Sequence, residues 1–511
     1  MPRFSIATAL MTTALTAPMA MADVTAEDVW NNLVTAGDLY GEQFSGSIAK
    51  NGNITQVSDL NASVVLPDGT FKISLGGMSM TERGDGTVLL QFDASSDVEI
   101  EGDMTSIGES FKLSGKMNVS GLDAVASGEP GNLTYTYAVP NANVTLTDFK
   151  LEFDGLSEED VNADVTVSID MTEFNSVYQI DTTAGLTSSG NANYGGVSID
   201  VDAEIVEGGE AGTMSFNIDI ADLLGTFDFT LPNKAAAPDL PSLIEAGLDM
   251  VYTLTMGASN TSMSVDAPDE QFAFNSTSTG GKLDSVVNTK TLSYGFESTG
   301  TNMALSGSDI PFPEVTAGIG RMALGLTMPS GVLAEDGDVG LEIALEDVTI
   351  ADFLWGLFDP TGKLPRDPAT VAVELSGKGK LLVDIYDPQA LETMAFGGMP
   401  AELANIDIDR LEVRAAGAEA TGSGGFTFDN TDLATFPGMP RPEGSASIRM
   451  TGVNGLMDNL VALGLLPKDQ VLGARMMMGI FARPGEGPDT LETELEVTAD
   501  GAVMANGQSL R

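Results

Sequence analysis

Val197-Ser198-Ile199-Asp200-Val201-Asp202-Ala203-Glu204-Ile205 is the stretch that decides the fold. Apolar and polar residues alternate at a period of two. One strand face therefore carries Val197, Ile199, Val201, Ala203 and Ile205, and the other carries Ser198 and three acids. The same pattern recurs along the chain. Leu60, Ala62, Val64 and Leu66 lead through Pro67-Asp68-Gly69 to Phe71, Ile73 and Leu75, which reads as an antiparallel hairpin with one buried face. Val165, Val167 and Ile169 repeat it, and Glu342, Ala344 and Glu346 face away from Ile343 and Leu345. Val371–Leu375 and Leu381–Ile385 are expected to form one hairpin through Gly377 and Gly379. Turn pairs at Asn51-Gly52, Asp85-Gly86, Asp154-Gly155, Asp336-Gly337, Asp500-Gly501 and Asn506-Gly507 punctuate the chain. The expected fold class is mainly β: large, twisted, mostly antiparallel sheets in two sheet-rich halves, with a few short helices.

The composition removes most catalytic chemistry. The 511 residues include no His and no Cys, so imidazole bases, thiol nucleophiles, disulfides and His- or Cys-ligated metals are excluded. Asp and Glu number 74 against 23 Lys and Arg, a net charge of −51 that repels nucleic acid and anionic headgroups. The acids are spread along the chain, which fits a solvated surface. The alternating acids Asp200, Asp202 and Glu204, and Asp407 with Asp409, offer oxygen ligands for a hard cation. They lack any calcium-loop pattern, and the wet face of a strand accounts for them. Neither cofactor nor metal is expected.

Helices are expected at a few places. Thr25 with Asp28 reads as a capping box ahead of Val29, Leu33 and Ala36, with Trp30 and Val34 alongside and Gly37 as a stop. Ala235–Pro241 reads as a linker, and Ser242–Met250 as a helix with Pro241 ahead of it. Asn454 is placed to cap a helix carrying Leu456, Leu460 and Leu463. Pro467 then starts a second helix through Val471, Leu472 and Met476–Met478 to Phe481, so that 454–482 forms a helical hairpin. A strand at Leu491–Val497 and another near Val503 close the chain. Residues 1–22 read as a signal peptide, with Arg3 ahead of an uncharged run and Ala20-Met21-Ala22 as the cleavage site. The expected division is a leader over 1–22, an N-terminal β-rich domain over 23–237 and a C-terminal one over 238–511. The expected location is the periplasm, with no transmembrane span in the mature chain. One internal echo, Ile220–Asp228 against Ile350–Asp359, reads either as a duplication or as two similar short amphipathic helices.

Motifs for chemistry are weak. Ser47-Ile48-Ala49-Lys50 has Ser-x-x-Lys spacing but sits in a strand-like stretch, without the companion elements that acyl-enzyme chemistry needs. No Gly-Lys pair is followed by Ser or Thr, as a phosphate loop requires. Met476, Met477, Met478 and Phe481 are the candidate lining for an apolar ligand. A fully buried helix is the first explanation of that run, and a pliable lipid or peptide lining the second.

Trp355, then Asp359-Pro360-Thr361-Gly362-Lys363-Leu364-Pro365-Arg366-Asp367-Pro368, then the strand from Ala369, resembles domain-of-unknown-function family 2125. Gly464-Leu465-Leu466-Pro467, the ending from Asp500-Gly501 to Leu510 and the Val29-Trp30 helix are similar to that family as well. The resemblance implies an exported protein of Gram-negative bacteria and brings no activity. A looser likeness to AsmA-type envelope proteins implies a lipid-related role. Trp355, Asp359, Pro360 and Arg366 are expected to hold a structural junction, with Arg366 paired to an acid. Three function classes follow: a non-catalytic scaffold or binding module, which the composition favours; a carrier of lipid or another hydrophobic ligand; and an outer-membrane β-barrel, which the terminal Leu510-Arg511 and few aromatics disfavour. The expected partner is an envelope protein or a lipid. An enzyme is not expected.

Overall fold

The computed structural model describes residues 23–66, 69–104, 109–153, 162–207, 210–235, 239–268, 270–387 and 401–510. The expected leader over 1–22, the Asp154-Gly155 turn and residues 236–238 of the expected linker lie outside them.

The described chain opens on helix α1 (Ala26–Tyr40). Its capping box is as expected: the Asp28 N–H donates to Thr25 Oγ1, and the Thr25 N–H donates to the Asp28 carboxylate at 3.0 Å. The helix passes through Gly37, where the Phe44 ring rests on the bare backbone, and stops at left-handed Gly41. Strands β1 (Glu42–Asn51), β2 (Ile54–Leu66), β3 (Gly69–Glu82), β4 (Val88–Phe92), β5 (Ser95–Met104), β6 (Glu109–Ser120), β7 (Asp123–Glu129), β8 (Asn132–Phe153), β9 (Asn162–Asp181), β10 (Leu186–Glu207) and β11 (Glu210–Leu231) follow. After α2 (Leu240–Glu245) come β12 (Asp249–Met256), β13 (Ser259–Ala267), β14 (Glu270–Ser278), β15 (Gly280–Asn288), β16 (Thr291–Gly307), β17 (Val315–Pro329) and β18 (Gly337–Ile350). Helix α3 (Asp352–Phe358) precedes β19 (Ala369–Leu381), β20 (Ala401–Ala415), β21 (Ala418–Asp429) and β22 (Arg441–Thr451). Helices α4 (Val453–Ala462) and α5 (Lys468–Phe481) then lead to β23 (Arg483–Pro484), β24 (Thr490–Val497), β25 (Val503–Ala505) and β26 (Gln508–Ser509).

All the described strands belong to one antiparallel sheet. Its neighbours follow chain order: the ladder passes β1–β2–β3, through β4 and β5 to β7 and β6, then along β8–β9–β10–β11. It continues through β12 and β13 to β15 and β14, then β16 to β22, and ends at β24, β25 and β26. With β4–β5, β6–β7, β12–β13 and β14–β15 each taken as one interrupted strand, every strand up to β22 pairs with the one before it. The boundary expected at 237/238 falls between β11 and β12, which pair with each other, so the ladder runs across it.

A transverse seam crosses this sheet. Asp59, Glu173, Asp222 and Asp347 adopt φ of 52°, 49°, 50° and 53° in mid-strand. The pairing registers align the last three: Glu173 lies opposite Gly195, then come Asp222, Gly257, Gly300 of β16, Gly320 and Asp347. The gaps between β4 and β5, and between β12 and β13, fall on the same line. Glycine is required beside the acids: a Cβ on Gly320 would stand 2.9 Å from Asp347 Cβ, and one on Gly257 would stand 2.7 Å from Ala221 O. The left-handed residue resets side-chain alternation. In β18, Leu341, Ile343 and Leu345 are odd-numbered, whereas Val348 and Ile350 beyond Asp347 are even-numbered. Val139, Ala142 and Phe174 form one buried cluster with Met171 and Tyr194 around it, although they come from both sides of the seam. The apolar face thus stays on one side of the sheet throughout.

The main core lies where α1 covers this face. Val24, Ala26 and Val29 pack with Val57, Met80, Val88, Leu133 and Tyr135. Asn32, 1% exposed, accepts from the Tyr135 hydroxyl at 3.0 Å and donates to the carbonyls of Gly131 and Ile180. Burial raises the Tyr135 pKa, so this phenol stays a neutral donor. A second core joins Leu186, Leu231, Leu243 of α2, Leu248 and Val287.

Several local expectations are corrected. Ile220–Asp228 is strand within β11, hydrogen-bonded on both sides, whereas its echo at 350–359 turns into α3; the similarity is not one of structure. Val371–Ile385 is not a hairpin, because Gly377 and Gly379 pair with both β18 and β20 inside one strand. Helix α2 starts from Asp239, whose carboxylate accepts from the Ser242 N–H, and it ends before Asp249 enters a strand. Helix α4 is capped by Asp489, not by Asn454: the Asp489 carboxylate accepts from the N–H groups of Asn454 and Gly455.

Candidate functional site: an uncovered apolar sheet face

The pairing registers line apolar side chains into rows that run across the strands. One row is Leu254, Leu283, Phe296, Leu324, Ile343, Val373 and Leu411, one residue from each of seven adjacent strands. At about 4.8 Å per strand it extends about 29 Å. Tyr294, Leu326 and Leu341 flank it on one side, with Leu345, Val371 and Val413 on the other. The middle of the row is exposed, at Phe296, Leu324 and Ile343, Leu324 by 58%, and so are Tyr294, Leu326, Leu345, Val371 and Val413, whereas Leu254, Leu283, Val373, Leu411 and Leu341 are half-buried. A second row, beyond the seam, is Met117, Leu146, Val167, Val201, Phe216, Met263, Phe274, Leu305 and Val315, all half-buried. Beside the first row, a cavity of about 290 Å³ is lined by Leu326, Met328, Leu341, Leu375, Leu403 and Ile406, with the Lys380–Glu402 ion pair at 2.9 Å among its walls. A large exposed apolar patch of this kind marks a site for a ligand or partner.

The opposite face is charged. Arg321 pairs with Glu297, Glu342 and Glu346, and Arg410 pairs with Glu346, Glu374 and Glu412. Their side chains lie over Ala323, Ala344 and Ala372, each less than 5% exposed. The Arg410 guanidinium first, and then Arg321, hold the Glu346 carboxyl below its ordinary range. Asp200 and Asp202 lie on this wet side too, accepting from Asn217 and Ser215 of the neighbouring strand. Among the described residues, no group of three or more acidic side chains is placed to hold a metal ion.

The expected lining residues sit elsewhere. Helix α5 is not the fully buried helix that its composition suggested. Only Val471 is buried; Met476 and Met477 are 65% and 54% exposed, while Met478 and Phe481 are half-buried. The helix packs on α4 through Arg475, which donates to Asn454 Oδ1 at 3.0 Å and to Asp458.

Of the expected junction residues, Trp355 and Asp359 meet through the backbone. The Asp359 N–H closes α3 on the Trp355 carbonyl, and the Asp359 carboxylate accepts from the Leu364 N–H at 2.6 Å and from Thr361 Oγ1. Burial raises this carboxyl, but the N–H groups of Lys363 and Leu364 outweigh it and hold the pKa below the ordinary value. Pro360 is exposed beside it. Arg366 pairs with Asp352 at 2.6 Å on the surface, and Lys363 Nζ reaches the Ala462 carbonyl at the end of α4. The loop is a strap between α3 and the helical hairpin.

The family described as "Uncharacterized protein conserved in bacteria (DUF2125)" matches residues 241–508, from α2 to the last strand. The chain belongs to that family. Its matched segment contains the apolar row from Leu254, the strap and the helical hairpin, and begins close to the boundary expected at 238. No curated protein and no solved structure matches the chain. No helix among the described residues is long and apolar enough to cross a membrane.

Sequence reading missed the seam and the Arg321–Arg410 network. The seam had a legible signal: the apolar residues change from odd to even positions between Leu345 and Val348, and again between Met171 and Phe174. The network had none, because register alone brings Arg410 to Glu346, 64 residues away.

Proposed function

We propose that the protein is an exported, non-catalytic envelope component that carries lipid acyl chains on its apolar sheet face. The observation that carries this reading is the apolar row from Leu254 to Leu411, exposed at Phe296, Leu324 and Ile343. Its side chains are hydrocarbon or aromatic with no polar residue inserted, which matches an elongated apolar ligand better than a protein surface, whose contact region mixes polar and apolar groups. The absence of His and Cys from the sequence supports a binding role. The Ala20-Met21-Ala22 site supports export, and the looser AsmA-type likeness points the same way. A barrel is less well supported, because among the described residues β1 pairs only with β2 and β26 only with β25, leaving the ladder with two ends.

Native mass spectrometry of protein purified from its own envelope tests the proposal. A lipid mass on the wild type, lost in Leu324→Glu with Ile343→Glu, is the expected result. These two side chains are 58% and 41% exposed, so the variant keeps its fold. A bare polypeptide mass for the wild type overturns the carrier reading and leaves a scaffold.

A further inference from the structure

We infer that helix α5 is a docking element for an anionic lipid bilayer surface. This rests on the lipid-carrier reading and names where the carrier meets its membrane. The helix is attached through one side. Val471, Arg475, Met478 and Phe481 recur at spacings of three and four and are the residues shielded from solvent. The opposite side carries Leu472, Met476 and Ile480, four residues apart, exposed by 63%, 65% and 56%. Leu465, in the turn before the helix, adds a further apolar side chain that is 49% exposed. A 14-residue helix with an apolar row turned to solvent is the geometry of an interfacial element, too short to span. The unbranched Met side chain suits a fluid surface with no fixed shape.

Charge identifies the surface. In a chain with net charge −51, Arg449 and Arg475 near the helix are paired with Glu492 and Asp458, whereas Lys468 and Arg483 have no ion pair among the described residues. Lys468 and Arg483, both exposed, stand at the two ends of α5. Their alkyl stems let the charges reach headgroups while Leu472, Met476 and Ile480 enter the interface. The Arg321–Arg410 network and the other acids of the wet face repel an anionic membrane, but that repulsion is screened beyond about 8 Å at physiological ionic strength, whereas charges at the contact are not. Asp469 also lies on the outward side, in the first turn, where the helix N-terminus tolerates it; entry is therefore by the turns that follow, from Leu472 onward.

The test is flotation of the full mature chain with phosphatidylcholine vesicles, with and without about one third phosphatidylglycerol. Wild type is expected to float with the anionic vesicles. Leu472→Gln with Met476→Gln and Ile480→Gln should reduce bound protein by more than about tenfold. Lys468→Glu with Arg483→Glu should lose the preference for anionic vesicles, by about fivefold per charge. Unchanged thermal unfolding of both variants separates lost docking from lost folding. The Leu324→Glu, Ile343→Glu variant should still float, so failure of the carrier reading and failure of docking give different results. Wild type that stays with the unbound fraction, or a triple variant that floats as well as wild type, overturns the inference.

Discussion

At the scale of single residues, two kinds of position hold this fold. Asn32 is the first. Its amide ties α1 to three partners in the sheet, and truncation leaves the buried Tyr135 hydroxyl without an acceptor. Asn32→Ala is expected to lower stability by about 2 kcal/mol in urea titration. The seam acids are the second. A left-handed backbone suits glycine, tolerates Asp and excludes β-branched residues. Asp222→Gly should therefore be neutral or slightly stabilising, and Asp222→Val should cost about 1–2 kcal/mol; equal midpoints for the two would refute a strained seam. Arg366 is a weaker matter than its sequence suggested, because its ion pair with Asp352 is solvent-exposed and contributes about 0–1 kcal/mol.

Elements were legible to different depths. The β-hairpin of Leu60–Leu66 with Phe71–Leu75, the capping box at Thr25 and the helical pair near the C-terminus followed from period and cap chemistry. Three things did not: the continuity of β19 through Gly377 and Gly379, the exposure of α5, and the cap on α4. Each depends on what neighbours an element, and sequence period reports only which side is apolar. Asp489 stands 35 residues from Asn454, so no local pattern announces it as the cap. Asp489→Ala should cost about 1 kcal/mol, read as loss of helicity in 453–462 by hydrogen exchange. The charged face makes a pH prediction. Glu346 has a folded pKa below its unfolded value, so its contribution is present above the unfolded pKa and is lost as pH falls through the folded one. Acidification below about pH 4 should weaken wild type, and Glu346→Gln should flatten that dependence while lowering neutral-pH stability by about 1–2 kcal/mol.

At the scale of the whole molecule, each strand contacts those next to it in the chain, so stability resembles a sum over neighbouring rows. Hydrogen exchange should then be slowest in β8–β10, beneath α1, and fastest in β25 and β26; uniform protection would contradict this. The apolar rows extend through both the matched segment and the chain ahead of it. The sheet order carries one more consequence. Because each strand up to β22 lies beside its predecessor, once β4–β5, β6–β7, β12–β13 and β14–β15 are each counted as one interrupted strand, lengthening the molecule takes only the insertion of a complete up-down pair, with no rethreading of what surrounds it. Relatives built on this plan should differ in size by steps of two strands, and the span of greasy surface each offers should scale with the number of pairs.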